Sequence, residues 1–158
     1  MPPNRASRQV IAEATRLLSA SEVERRLGLL SQLNLGEALV LPEVTERSVP
    51  APTMHALRLL LGSAVELEGD LAKLSKPRSL ATEERVWGAL RAYCKNARAA
   101  MGTSRKSDVA ALSRVGLQRR MALALQFRAE KKRLLSGLES RLQLLATRSR
   151  KAGKPLKL

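Results

Sequence analysis

The chain has 158 residues, 44% of them hydrophobic and 27% charged, with a formal charge of +15. That supplies enough apolar surface for one domain core without covalent staples, and the single cysteine, Cys94, with no cysteine or histidine cluster near it, excludes a disulfide framework and a zinc site. The lone cysteine makes a reducing, intracellular setting the expectation, and no apolar run approaches the roughly 20 residues that span a bilayer.

Residues 6 to 19 read as a first helix, with Val10, Ile11, Ala14, Leu17 and Leu18 on one side. Arg5, Arg8 and Arg16 stand there against Glu13 alone, a pattern shared by ordinary basic helices and organelle transit segments. Residues 1 to 20 are therefore set apart as an N-terminal helix or a fragment of a preceding region. Ser21 and Glu24 have the spacing of a capping box, which predicts a helix from 21 to about 33. Gly36, Pro42, Pro50 and Pro52 then interrupt any regular pattern, predicting an ordered linker with at most a short extended piece at 38 to 41.

Thr53 is placed to cap an apolar helix over 54 to 61, with Gly62 ending it. Residues 64 to 74 are helical in pattern, though weakened by Gly69, and a loop follows. Thr82, with Glu83 and Glu84 behind it, opens a long helix whose acids lie in the first turn and whose bases lie toward the end, as the helix dipole favours. Val86, Leu90, Tyr93, Ala97 and Met101 give that helix a core-facing stripe. Gly102 closes it, and Ser104 or Ser107 caps a brief helix carrying Val109 and Leu112.

The last helix is predicted over 117 to 147, with Leu117, Met121, Leu125, Leu135, Leu138, Leu142 and Leu145 as its apolar seam. Arg128, Ala129, Lys131 and Lys132 interrupt the seam too early for a coiled coil, so helices of this same chain are its expected cover. The basic tail at 148 to 158, with Gly153 and Pro155, is expected to be disordered. The reading is an all-α, irregular multi-helix bundle with a long C-terminal helix, its domain spanning 21 to 147.

Reactive groups are scarce. His55 is the only histidine and sits in an apolar helix, so metal ligation has no second imidazole to draw on. No two glycines fall two apart and no G-K-[ST] follows a glycine loop, so phosphate-cradling turns are missing. Cys94 reads as a small buried hydrophobe, the competing reading being a thiol made acidic by Arg91 and Arg98. No catalytic residue and no metal-binding or cofactor-binding residue is assigned.

Charge is the stronger signal. From Met101 onward fifteen lysines and arginines face Asp108, Glu130 and Glu139, a net of +12, while residues 1 to 100 carry only +3. A concentrated positive field attracts polyanions or acidic protein surfaces. Nucleic acid is the alternative partner, contacted through phosphates by Arg119, Arg120, Lys131, Lys132, Arg133, Arg148, Arg150 and Lys151. Trp87, Tyr93 and Phe127 are the only large aromatics, and the first two fall on or near the core stripe, so a base-stacking platform is not expected.

Four segments in order carry a resemblance: Leu57, Arg58, Leu59 and Leu60 after a proline stretch; Glu83 or Glu84 opening a long helix; Thr103, Ser104 and Asp108 in a turn; and Arg128, Glu130 and Lys131 followed by Leu134 and Leu135. Together, over about residues 21 to 146, they resemble the C-terminal substrate-binding domain of the Rubisco large-subunit methyltransferase family of SET proteins. Arg105 and Lys106 depart from it, standing where the family has an acidic residue before the aspartate. The resemblance implies an all-α domain that holds a substrate protein while a SET domain, binding S-adenosylmethionine, methylates a lysine. This sequence has no Asn-His pair, no G-x-G turn, and its one tyrosine lies in the helical part, so it resembles the recognition half alone, a fragment or a stand-alone relative. The four motif segments are expected to serve structure, and Arg119, Arg120, Lys131, Lys132 and Arg133 are the candidates for touching an acidic partner.

Overall fold

The computed structural model describes residues 11–12, 15–16, 18–39, 45–114 and 116–158. The expected helix over 6 to 19 lies largely outside these residues, as do positions 40 and 41. The described residues form six α-helices and two 3₁₀ turns, with no strand among them, and no described helix is long and apolar enough to cross a membrane. The all-α bundle expected from periodicity is the observed architecture.

Helix α1 covers Ala20–Gln32 and is capped by Ser19, whose Oγ accepts the Glu22 N–H at 3.3 Å. The cap lies two residues before the expected Ser21, which sits inside the first turn, so the expected Ser21–Glu24 box is not what starts the helix. Glu22 bridges Arg25 and Arg26, at 2.8 and 2.6 Å. Asn34, at φ 54°, turns the chain left-handed just beyond the helix, a conformation asparagine tolerates better than most residues. A 3₁₀ turn over Glu37–Leu39 stands where an extended piece was expected, and it seats Leu39 in the core.

Helix α2, Ala51–Leu61, begins two residues before the expected Thr53 cap. Pro50 and Pro52 suit a first turn, where a missing N–H costs nothing. Thr53 is thereby freed to donate its hydroxyl to the Ala38 carbonyl at 2.6 Å, tying the linker to the helix. Every α2 residue from Thr53 to Leu61 except His55 is buried, and the helix packs against α1, both 3₁₀ turns and the long fourth helix. It is the hub of the core.

The 64 to 74 segment is not one helix. A capping box between Ser63 and Glu66 starts the single turn of α3, Ala64–Leu67, and Asp70 then caps a 3₁₀ turn over Leu71–Ser75. Helix α4, Leu80–Ala99, is capped by Ser79, while the expected cap Thr82 donates its hydroxyl to Glu66 at 2.6 Å. Of the two serines expected at the next helix, Ser104 caps α5, Arg105–Leu112, accepting the Ser107 N–H.

Helix α6 runs over Arg119–Ala152, 34 residues and about 51 Å at 1.5 Å per residue. Its buried line is Leu125, Ala129, Lys132, Leu135, Leu138, Leu142, Ala146 and Ser149. Met121, assigned to the seam from sequence, is 54% exposed. Where a disordered tail was expected, the helix continues to Ala152 and ends at Gly153, whose φ of 63° is the left-handed cap that favours glycine. The chain then turns back, the Leu156 N–H donating to Ser149 Oγ, and Leu158 packs partly buried on the core.

Candidate partner-binding surface

Two polar clusters fix the frame that presents this surface. Arg58 of α2 donates to both Glu83 oxygens at 2.6 and 3.1 Å and to the Leu74 and Ser75 carbonyls, so α2, the second 3₁₀ turn and α4 are locked at one point. Of the two candidates Glu83 and Glu84, the buried partner is Glu83. Glu84 lies nearer the surface and pairs with Arg150.

The second cluster joins α5 to α6. Asp108, 1% exposed, accepts from Arg128 at 2.5 Å, from Lys132 at 2.6 Å and from the Thr103 hydroxyl at 2.7 Å. Lys132 also donates to the Thr103 carbonyl. The Arg128 hydrogen bond, with those of Lys132 and Thr103, outweighs the cost of burial and holds the Asp108 carboxyl well below the usual range. The motif residues Arg58, Glu83, Asp108 and Arg128 thus pin helices together, as expected of them.

The five candidate cations divide. Lys132 is buried at 3% exposure and committed to Asp108, so it is withdrawn from any partner in this fold. Arg133 spans Glu130 and Glu46, at 2.7 and 2.6 Å, and both carboxylates raise its pKa. Arg119 and Arg120 are exposed in the first turn of α6, and Lys131 is half-buried. No ion pair holds these three among the described residues. The α6 N-terminus has no acidic residue in its first turn and no side-chain cap from Gln118, so two cations sit at the positive end of the helix dipole uncompensated.

Beside them lies an apolar patch the sequence reading did not single out. Met121, Leu123 and Phe127 are 54, 56 and 71% exposed, and Val109 of α5 is 46% exposed. Met101, Met121, Ala124, Leu125, Phe127 and Arg128 line an open groove of about 340 Å³. The signal was present in spacing: Leu125, Ala129 and Lys132 mark the inward line by steps of four and three, which leaves Leu123 and Phe127, four apart, on the other side.

A larger hollow of about 430 Å³ lies between α1, α2 and α4, with Arg26 and Arg85 in its wall. Both arginines are spent on the end of α2, Arg26 donating to the Leu60 and Gly62 carbonyls and Arg85 to that of Leu61. Cys94 is fully buried and burial pushes its thiol up to about 11, in agreement with a core hydrophobe. His55, half-buried, meets the Leu71 carbonyl through Nε2 at 3.0 Å. No group of three or more His, Cys, Asp or Glu residues with metal-holding geometry occurs among the described residues.

The family model for Rubisco LSMT substrate-binding matches residues 18–135, well over half of the chain and inclusive of both polar clusters and the exposed α6 face. No curated protein and no solved structure matches.

Proposed function

The chain belongs to the Rubisco LSMT substrate-binding family, and from that membership we propose that it grips a substrate protein so that a lysine of that protein reaches a methyltransferase active site. Positioning of this kind accelerates a reaction by raising effective concentration and needs no reactive group in the gripping domain. S-adenosylmethionine and the transfer itself belong, in this reading, to a SET domain. The residues here orient the substrate.

The observation that carries the reading is the family match falling on a frame built for rigidity. Arg58 with Glu83 and Asp108 with Arg128 and Lys132 clamp α2, α4, α5 and α6, and the apolar and basic groups left over gather outside that frame. A protein partner is favoured over nucleic acid because Trp87 and Tyr93 are both sealed in the core, leaving Phe127 as the one large exposed ring.

The test is a photo-crosslinking residue incorporated in the native cell at Leu123 and, separately, at exposed positions away from α6 such as Val65, paired with quantitative methyl-lysine proteomics of cells with and without the gene. A crosslinked protein that loses a methyl-lysine on deletion supports the proposal. Crosslinked proteins whose lysine methylation is indifferent to deletion, or adducts to nucleic acid alone, overturn it.

A further inference from the structure

We infer that the outward face of α6 between Arg119 and Lys131 docks an acidic amphipathic helix of the substrate protein, a large apolar side chain of that helix entering the groove beside Phe127. The inference rests on the substrate-recognition reading above and adds the site and the chemistry of the occupant.

The face is continuous. Successive helix positions advance by about 100°, so Arg120, Leu123, Ala124, Phe127 and Lys131 fall along one side, with Met121 and Arg128 on its inner edge. Apolar groups and cations alternate on it. Met121, Ala124, Leu125 and Phe127 line the groove together with Arg128 and with Met101 just beyond the end of α4, and Leu123 stands on the exposed face outside it. A patch of large exposed apolar side chains rimmed by charge marks an interaction surface.

Charge selects the occupant. The two carboxylates near the face are already engaged, Asp108 with Arg128 and Lys132, and Glu130 with Arg133, while Arg119, Arg120 and Lys131 hold no ion pair among the described residues. The face is therefore positive without internal relief. A second copy of this chain would bring +15 against +15 and set the same cations facing each other, which opposes self-association. An acidic partner relieves Arg119 and Arg120 at the dipole end of α6, where their charge is least favoured. No strand occurs among the described residues to accept a partner by sheet addition, so a helix laid along α6 is the mode the groove offers.

The probe is a fluorescently labelled amphipathic peptide with leucines on one helical face and glutamates on the other, titrated with the 158-residue protein across a salt series. Controls are the same peptide with its leucines changed to alanine, a lysine-for-glutamate version, and a labelled single-stranded oligouridylate. Phe127→Ala is expected to weaken binding about tenfold with an unchanged circular dichroism spectrum, because the ring is exposed and supports no core contact. Arg119→Glu with Arg120→Glu is expected to weaken it further and to flatten its salt dependence.

Equal binding of the leucine-free peptide, or indifference to Phe127→Ala, overturns the inference, since charge alone then explains the affinity. Oligouridylate binding that exceeds peptide binding overturns it in favour of nucleic acid, and dimerisation in sedimentation that Phe127→Ala abolishes overturns it in favour of a second copy. These failures leave the methylation test untouched: a methylated partner crosslinked only at other positions would sink this site while the recognition role stood.

Discussion

Arg58 and Glu83, 25 residues apart in the chain, meet through Nε and Oε1 at 2.6 Å with side-chain exposures of 5 and 1%. A buried ion pair of this kind is costly to form and more costly to break. Removing one partner strands the other charge away from water. Glu83→Ala is expected to lower unfolding free energy by about 3–5 kcal/mol, whereas the double change Arg58→Met with Glu83→Leu recovers most of that loss. Urea denaturation of the three proteins measures it, and a double variant no better than the single one would refute the stranded-charge account.

Lys131 and Lys132 are adjacent and alike in sequence, yet the fold separates their fates. Lys132 is buried on Asp108 and Thr103, while Lys131 is half-exposed without an ion pair among the described residues. Lys132→Ala is expected to lower the melting temperature clearly. Lys131→Ala is expected to stay within about 0.5 kcal/mol of the parent. Equal effects of the two changes would show that the α5–α6 cluster contributes nothing to stability.

Acid should loosen the fold through two carboxylates. Asp108 is held low by the Arg128 hydrogen bond and its other partners. Burial alone would raise Glu66, but hydrogen bonds from Thr82, Ser63 and Ser79 outweigh it and hold the group at about 2. A carboxylate depressed in the folded state binds fewer protons there than when unfolded, so its stabilisation is full above the ordinary carboxylate value and fades as pH falls toward the folded one. The urea midpoint is therefore expected to be flat from neutrality to about pH 5 and to drop steadily from there toward pH 2. Asp108→Asn should make that acid limb shallower.

The helix caps can be tested serine by serine. Ser19→Ala and Ser63→Ala each remove an observed cap, and each is expected to cost about 1 kcal/mol. Ser21→Ala removes none and should be near neutral. A larger loss at Ser21 than at Ser19 would mean the helix starts where its sequence pattern first suggests.

Cys94 is fully buried and its thiol lies near 11. The thiolate is the reactive form, so alkylation by iodoacetamide at pH 8 is expected to be slow in the folded protein and fast in denaturant. Rapid labelling without denaturant would place the sulfur nearer the surface than the core it occupies here.

Two of the displaced helix starts share one cause. Thr53, Thr82 and Ser21 are all good capping residues, but Thr53 and Thr82 hydrogen bond to Ala38 and Glu66, fifteen and sixteen positions away. Local pattern cannot see such a partner. Ser21 differs from these two: Ser19, two residues earlier, caps α1 and leaves Ser21 inside the helix. Met121 was placed in the seam because leucines fix a period, yet the seam runs through Lys132, which no apolar pattern would select.

What the sequence determined by itself was the all-α class, the order and approximate span of most helices, and the inward line of α4. These depend on spacings of three and four residues and on turn-forming glycines and prolines, interactions that each residue settles with near neighbours. The tertiary structure alone decided which of five neighbouring cations remain available, that Lys132 belongs to the core, and that Met121, Leu123 and Phe127 open outward beside Met101. Burial and charge pairing join positions 20 to 87 residues apart, and a charge keeps or loses its freedom according to what the folded chain brings within hydrogen-bonding distance.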